Sequence, residues 1–316
     1  MGIPSSVLDL EVFLAGDGAQ IELRALTELT DDRKLMKIFR EHAVDRKNPM
    51  KDPHCVEGHL LTGWPVERIK NDPITRRMTK NTVFGIVYGL GEDSVYPYVV
   101  AKIRSVEGPD ADLKGITPER CKATHRKFFE VHTEVAAFHE RMRRQAERNH
   151  YVESLFGFRR EVIQEDETRS TYWGNQAVNS PVQSTAHMFV LICLALLDLY
   201  PEKYKYLNKC IMEVHDALYF RVKLRYLQEA YRQFVQLFEH DAVAHAEKEF
   251  AAYWKSCKPP REPKLRVPIL AEAKAGFTMA SMVDYEGESI EQFLETWRGK
   301  LAKVESKSWE SLMLAA

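Results

Sequence analysis

Arg76, Lys80, Phe84 and Tyr88 stand at every fourth position and form a chemical gradient along one line. In a helix each such step turns about 400°, so the set drifts by about 120° and shares one face roughly 18 Å long. Two cations occupy the N-terminal half and two aromatic rings the C-terminal half. A nucleoside triphosphate has the same polarity, with anionic phosphates at one end and sugar and base at the other. Arginine grips a phosphate through paired hydrogen bonds, lysine acts as a point charge, and a helix N-terminus adds favourable potential for anions. Gly85 and Gly89 leave room for a base or another segment to approach. Spacing alone favours a plain amphipathic helix, with aromatic residues in the core and a solvated basic edge.

Two carboxylates complete the chemistry-bearing set. Asp17 and Asp216 each follow an apolar, strand-like run, where a carboxylate can be held at the edge of a sheet. Taken singly, either reads as a turn residue.

The elements that must position these groups are legible in outline. Val12 to Ala15 reads as a strand, Gly16-Asp17-Gly18 as a turn, and Ile21, Leu23, Leu26 and Leu29 as helical spacing. Asp31-Asp32 opens another helix carrying Leu35, Met36 and Phe39. Residues 42–53 are polar and charged and read as a loop. Asp72-Pro73 is an N-cap followed by proline at the first helical position, predicting a helix to Tyr88 that Gly89 and Gly91 end. Thr117-Pro118 predicts a second start and one long helix to about Arg148. Val152–Phe156 and Glu161–Ile163 pair as a hairpin around Gly157. Gln183 to Tyr200 is a buried helix, Cys210 to Val222 is strand-like around His215-Asp216, and Val267 to Ala271 is a strand. Strands so few and so far apart exclude a wound parallel sheet and predict an α+β fold with a small antiparallel sheet.

The 316 residues are 45% apolar and 29% charged, with a formal net charge of -1. No global basic field advertises a nucleic acid, so any such contact has to be local. The five cysteines form no CxxC pair and read as reduced thiols. The longest apolar run, Met188 to Leu197, is too short to span a bilayer. No membrane partner and a cytoplasmic setting are expected.

Three motifs carry a resemblance. Arg76 to Gly89, RRMTKNTVFGIVYG, resembles motif B of the family A, DNA polymerase I-like, DNA polymerases (RRxxKxxxFGxxYG). Asp17 to Arg24, DGAQIELR, resembles motif A (DYSQIELR), and Val214 to Ala217, VHDA, resembles motif C (VHDE). Connecting segments agree: YVESLFG at Tyr151 to Gly157, NSPVQSTA at Asn179 to Ala186, and Asp52-Pro53-His54, which is similar to the DIH before the fingers. The likeness covers about residues 10–283.

The resemblance implies a polymerase palm with a helical fingers subdomain: palm at 1–30 and 151–284, fingers at 31–150, and a charged helical tail from 285. It implies deoxynucleotide addition to a primer 3′-hydroxyl with two magnesium ions, held by Asp17, Asp216 and the carbonyl of Gly18. Arg76 and Lys80 would hold the triphosphate, with Lys80 able to protonate the leaving group. Phe84 would pack on the sugar, Tyr88 would border the template-base position, and His54 would touch the incoming phosphates. Glu22 would block a ribose 2′-hydroxyl, and Gln20 belongs to the same substrate-binding stretch. Asn179, Gln183, His215 and Arg159 would contact template or primer. Arg141, Arg143, Arg144, Arg148 and Arg160 add a basic run that either faces phosphates or is simply solvated.

The chain departs from the family at three points. Ala217 replaces the second carboxylate of motif C, Gly18-Ala19 replaces Tyr-Ser in motif A, and the sequence begins just upstream of motif A. The family's thumb, first palm segment and any exonuclease normally precede that point. The expectation is therefore a split polymerase with a second polypeptide supplying the thumb and possibly an exonuclease, working on primer-template DNA and dNTPs. Ser184 and the compact layout resemble bacteriophage members, which would place the chain in the host cell cytoplasm. Two other functions fit parts of the sequence: a non-catalytic DNA-binding or accessory remnant, suggested by Ala217, and a single-subunit RNA polymerase, which Glu22 argues against.

Overall fold

The computed structural model describes residues 3–162, 170–207 and 210–314. In chain order the elements are α1 (Ser5–Leu8), β1 (Glu11–Gly18), α2 (Ile21–Thr30), α3 (Arg33–Val44), α4 (Pro53–Thr62), α5 (Val66–Asn71), α6 (Pro73–Val87), α7 (Glu92–Glu107), α8 (Pro118–Val131), α9 (Thr133–Asn149), β2 (Tyr151–Glu153), β3 (Arg159–Glu161), α10 (Ser170–Leu199), β4 (Cys210–Val214), β5 (Ala217–Lys223), α11 (Leu227–Val235), α12 (Ala242–Glu249), α13 (Ala251–Ser256), β6 (Ala271–Gly276), β7 (Val283–Asp284) and α14 (Ile290–Leu314). The α+β layout with a small antiparallel sheet is as expected. The chain forms two units: residues 1–21, 187–251 and 269–316 in the first, and 22–186 and 252–268 in the second.

The first unit is a five-stranded sheet in the order β4-β5-β1-β6-β7, antiparallel throughout. Gly16-Asp17-Gly18 is not a turn. β1 runs through it, with Gly16 paired to Leu218 on β5 and to Ala273 on β6. The glycines are there for packing. A Cβ at Gly16 would lie 2.3 Å from the Phe234 ring, and one at Gly18 would lie 2.8 Å from Ile21 Cβ and 3.0 Å from Phe238 Cζ. Phe234 and Phe238, with ring centroids 5.7 Å apart, therefore press directly onto the strand backbone. They belong to α11 and to the π-helical turn Gln236–Asp241 that continues it. Both rings are fully buried and stand in the space that bulkier residues on β1 would fill. The strand expected at Val267–Ala271 instead begins at Ala271.

The second unit is mostly helical. Asp72 caps α6 by accepting from the Ile74 and Thr75 N–H groups, and Gly89 ends it at φ 76°, as the sequence predicts. Met78, Val95, Val99, Ile103, Ile116 and Cys121 form a core shared by α6, α7 and α8. The long helix expected from Pro118 is two helices broken at His132. The buried His132 ring bonds Asp32 Oδ1 and Glu57 Oε1, each at 2.9 Å, so the break trades helical continuity for a cross-link between three segments. The expected hairpin forms as β2 and β3, with Gly157 at φ 77° in its loop; Ile163 lies outside the described residues.

One helix stretch, Trp173–Leu199, is long and apolar enough to cross a membrane by length and composition. Within the fold it buries Ala177, Val178, Val182, Phe189, Val190, Cys193 and Leu196 and serves as a core helix. It begins earlier than the expected Gln183 and holds Pro181 in its interior.

Candidate active site

In the first unit, β1 ends in Asp17-Gly18, and the β4–β5 hairpin turns through His215-Asp216. The β1–β5 ladder closes with Gly16 opposite Leu218, so the next residues in line are Asp17 and Ala217, with Asp216 just beyond. The register thus brings the two carboxylates, far apart in sequence, to one end of one sheet. Their electrostatics agree. Burial pushes Asp17 up to about 6, helped by the charges of Asp216 and Glu272 and opposed by Lys274. Burial also raises Asp216, against its own backbone N–H and His215. His215 takes φ 58°, a left-handed conformation that costs a non-glycine residue about 1–2 kcal/mol and turns the hairpin so tightly that Asp216 sits at its tip.

The donors at this edge are carboxylate and carbonyl oxygens, the chemistry that suits a hard cation such as magnesium. Among the described residues no three His, Cys, Asp or Glu side chains stand close enough to close on one ion. A metal here would therefore need water and substrate oxygens to complete its shell.

In the second unit, Arg76, Lys80, Phe84 and Tyr88 are all half-buried, while Met78, Thr79, Thr82, Val83, Ile86 and Val87 between them are buried. The cationic-aromatic line is thus the accessible side of α6, and the aromatic residues are not its core. Arg76 pairs with Asp52 at 2.8 Å, and Asp52 also accepts from the Cys55 N–H to cap α4. His54 is buried beside Phe84, ring centroids 6.1 Å apart. Burial, together with the charges of Lys80 and Arg76, pushes His54 down to about 3 and keeps it neutral. Lys80 Nζ lies 5.9 Å from the Phe84 ring centroid. The Tyr88 hydroxyl donates to Glu22 Oε2 at 2.9 Å, fixing the carboxylate. Gly89 is needed where it stands, since a Cβ there would meet Asn175 Cα at 3.1 Å.

The remaining expected residues occupy different settings. Asn179 is half-buried and Gln183 exposed, one turn apart on α10. The Asn179 Oδ1 and Gln20 Oε1 atoms are buried and have no hydrogen-bond partner among the described residues. Gln20 also takes φ 53° at the entry to α2. Arg159 is held by Glu153 at 2.6 Å and lies over the Tyr151 ring at 4.6 Å. On α9, Arg141, Arg144 and Arg148 line a shallow groove with Ala137, Glu140 and Gln145.

Sequence reasoning passed over two buried charges in the second unit. Arg24, fully buried in motif A, donates to the Pro268 carbonyl and lies 4.5 Å over the Phe39 ring. Glu28 accepts from the Arg261 guanidinium and from the Arg266 and Val267 N–H groups. The only signal for either was a charge on the apolar side of a helical repeat.

A family model described as DNA polymerase family A matches residues 6–276. The chain belongs to DNA polymerase family A. Among curated relatives, the thermostable DNA polymerase I of Thermus aquaticus is 30% identical over 215 residues, covering 66% of this chain and 22% of that protein. The DNA polymerase I of Streptococcus pneumoniae is 28% identical over 215 residues, 67% of this chain and 22% of that protein. The chain thus spans about a fifth of the length of the family A relatives it matches. Among solved structures, the POL domain of Pol1 from M. smegmatis, in complex with DNA primer-template and dNTP, aligns with a TM-score of 0.60 at 18% identity, covering 84% of this chain and 40% of that one. At that identity the match establishes a shared fold.

Proposed function

We propose that this family A chain is the catalytic part of a template-directed DNA polymerase that joins deoxynucleotides to a primer 3′-hydroxyl. The observation that carries the reading is Asp17 and Asp216 arriving at the same end of one sheet, each with its pKa raised. Carboxylates so disfavoured as anions are suited to a site where cations restore the balance. Two magnesium ions held by Asp17, Asp216 and the Gly18 carbonyl would supply charge neutralisation and an activated primer oxygen.

The chain's own residues do the rest. Arg76 and Lys80 grip the triphosphate, and Lys80 gives a proton to the departing pyrophosphate. The neutral His54 donates to a phosphate oxygen without adding charge. Phe84 packs on the sugar, and Tyr88 borders the template base while holding Glu22 where a 2′-hydroxyl would otherwise fit. Gln20, Asn179 and Gln183 turn amide groups toward the duplex, the orphaned oxygens of Gln20 and Asn179 gaining donors there. His215 and Arg159 contact primer or template.

The subdomain reading travels with this proposal: palm at 1–30 and 151–284, fingers at 31–150, and a tail beyond. So does a cytoplasmic setting, in a host cell if the source is a bacteriophage. A second polypeptide contributing a thumb fits β4, an edge strand with exposed Ile211 and Val214. Size-exclusion of the chain with and without a candidate partner tests that arm, and a fully active monomer refutes it.

Primer extension with magnesium decides the main reading, comparing the native chain with Asp216→Ala. Template-directed addition that disappears in the variant is expected. Extension that survives the substitution removes Asp216 from the mechanism, and DNA binding without extension favours the accessory reading that Ala217 suggests. Ribonucleotides replacing deoxyribonucleotides as preferred substrates would reveal an RNA polymerase.

A further inference from the structure

Asp52 is used twice. Its Oδ1 accepts from the Cys55 N–H at 3.0 Å and caps α4, and its Oδ2 accepts from Arg76 Nη2 on α6 at 2.8 Å. One carboxylate thus joins the opening turn of α4, which carries His54, to the opening turn of α6, which carries Arg76. The two ends of this link differ. α4 is a fixed reference: Glu57 is buried and bonded to His132 at 2.9 Å, and the Ile69 side chain of α5 presses on Gly58, where a Cβ would meet it at 2.8 Å. Arg76 is a long side chain with 35% of its surface exposed, and its rotamer freedom is large. Asp52 engages Nη2, and a guanidinium has five N–H donors in a rigid fork, so a phosphate can still be met from another side. Burial opposes ionisation of Asp52, yet the hydrogen bond and charge of Arg76 hold its carboxyl below the ordinary aspartate value. By charge alone, an ionised carboxylate here is unfavourable to a triphosphate, because it repels the anion and offsets Arg76. What it adds is geometry.

We propose that Asp52 is a positioning residue for nucleotide addition: it holds the Arg76 guanidinium on the same carboxylate that starts the His54 helix, so that the two phosphate-facing groups keep one register. This rests on the assignment of Arg76 and His54 to the triphosphate in the proposed function. Asp52 acts through Arg76 and sets its orientation, not the strength with which the site attracts an anion.

Single-turnover primer extension by the whole chain, with dATP varied against a template thymine, reads the maximal rate and the nucleotide affinity separately. Asp52→Asn is the informative variant, because asparagine still caps a helix while the charged bond to Arg76 is lost. Its maximal rate is expected to fall, by at most about 10²-fold, the cost of a misplacement near 1 Å. Its dATP affinity should hold or tighten, since a repelling charge is gone. A merely structural role would instead lower the reaction amplitude or weaken affinity, and thermal melts of each variant check folding. In an Arg76→Ala background Asp52→Asn should add no further loss of rate, because the two residues act as one unit. If Asp52→Asn leaves the maximal rate unchanged, or costs as much without Arg76 as with it, the positioning inference is wrong, while a slower or weaker Arg76→Ala chain leaves the triphosphate reading standing. If Arg76→Ala alters neither rate nor affinity, the triphosphate reading falls and takes this inference with it.

Discussion

Each unit contains a group of acids, and the two groups are treated in opposite ways. In the second unit Asp32 and Glu57 are buried against His132, which bonds both at 2.9 Å. Burial alone would lower the imidazole pKa, but the two carboxylates outweigh it and hold His132 up to about 9. In the first unit Asp17, Asp216 and Glu272 stand at one end of the sheet, and Asp17 is pushed up instead. The fold solves the first cluster internally and leaves the second unresolved. Acids that a protein pairs for itself serve stability, and acids it gathers unpaired are available to a ligand.

The sharpest way to break this contrast is to neutralise one member of each group. Asp216→Asn should cut primer extension by about 10²- to 10³-fold, the scale on which one preorganised electrostatic group acts. Its unfolding midpoint should hold or rise, because repulsion is relieved. A large drop in stability would mean that the first cluster is structural after all.

His132→Leu should behave in the opposite way. It strips the cation from two buried carboxylates and should cost about 3–5 kcal/mol, read from urea unfolding, with extension lost only in proportion to unfolding. The pH dependence follows from the sign of the shift. His132 binds its proton more tightly folded than unfolded, so its contribution is fully present below the ordinary histidine value near 6.5 and is lost as pH rises through about 9. Urea midpoints from pH 6 to 10 should fall in the native chain and flatten over that window in the variant.

A smaller effect tests how β1 is held. Gly18→Tyr, which restores the residue usual in motif A, should destabilise by about 1–3 kcal/mol because Phe238 already fills that space. Adding Phe238→Ala should recover part of the loss. An additive double mutant would show that the two positions do not share the volume.

The smallest effect concerns the basic face of α9. If Arg148 meets a DNA phosphate, Arg148→Ala should reduce the salt dependence of DNA binding by about one unit of slope. An unchanged slope would leave the groove as a solvated surface.

Much of α6 was legible because everything that makes it is local. Asp72-Pro73 starts it, Gly89 stops it, and its accessible line follows from the helical period. Cys210 to Val222 read as strand-like with an interruption at His215-Asp216, and the structure makes that interruption the turn of the β4–β5 hairpin. The strand character of Gly16-Asp17-Gly18 was not legible, since glycine and aspartate favour turns and the ladders that override them come from β5 and β6, far along the chain. The break at His132 was hidden because no glycine or proline marks it and its partners are the distant Asp32 and Glu57. Arg24 and Glu28 looked like ordinary helix charges until distant backbone was seen to bury them.

By itself, the sequence determined the chemistry on offer: a cationic-aromatic helix face, two aspartates after apolar runs, and the local signals that start and stop helices. Those depend on neighbours within a turn or two, where spacing is geometry. Which acids share a sheet edge was decided only by the sheet register, and which are neutralised within the fold by the packing of His132 against Asp32 and Glu57. Register is set by the packing of distant strands, and no local rule encodes it.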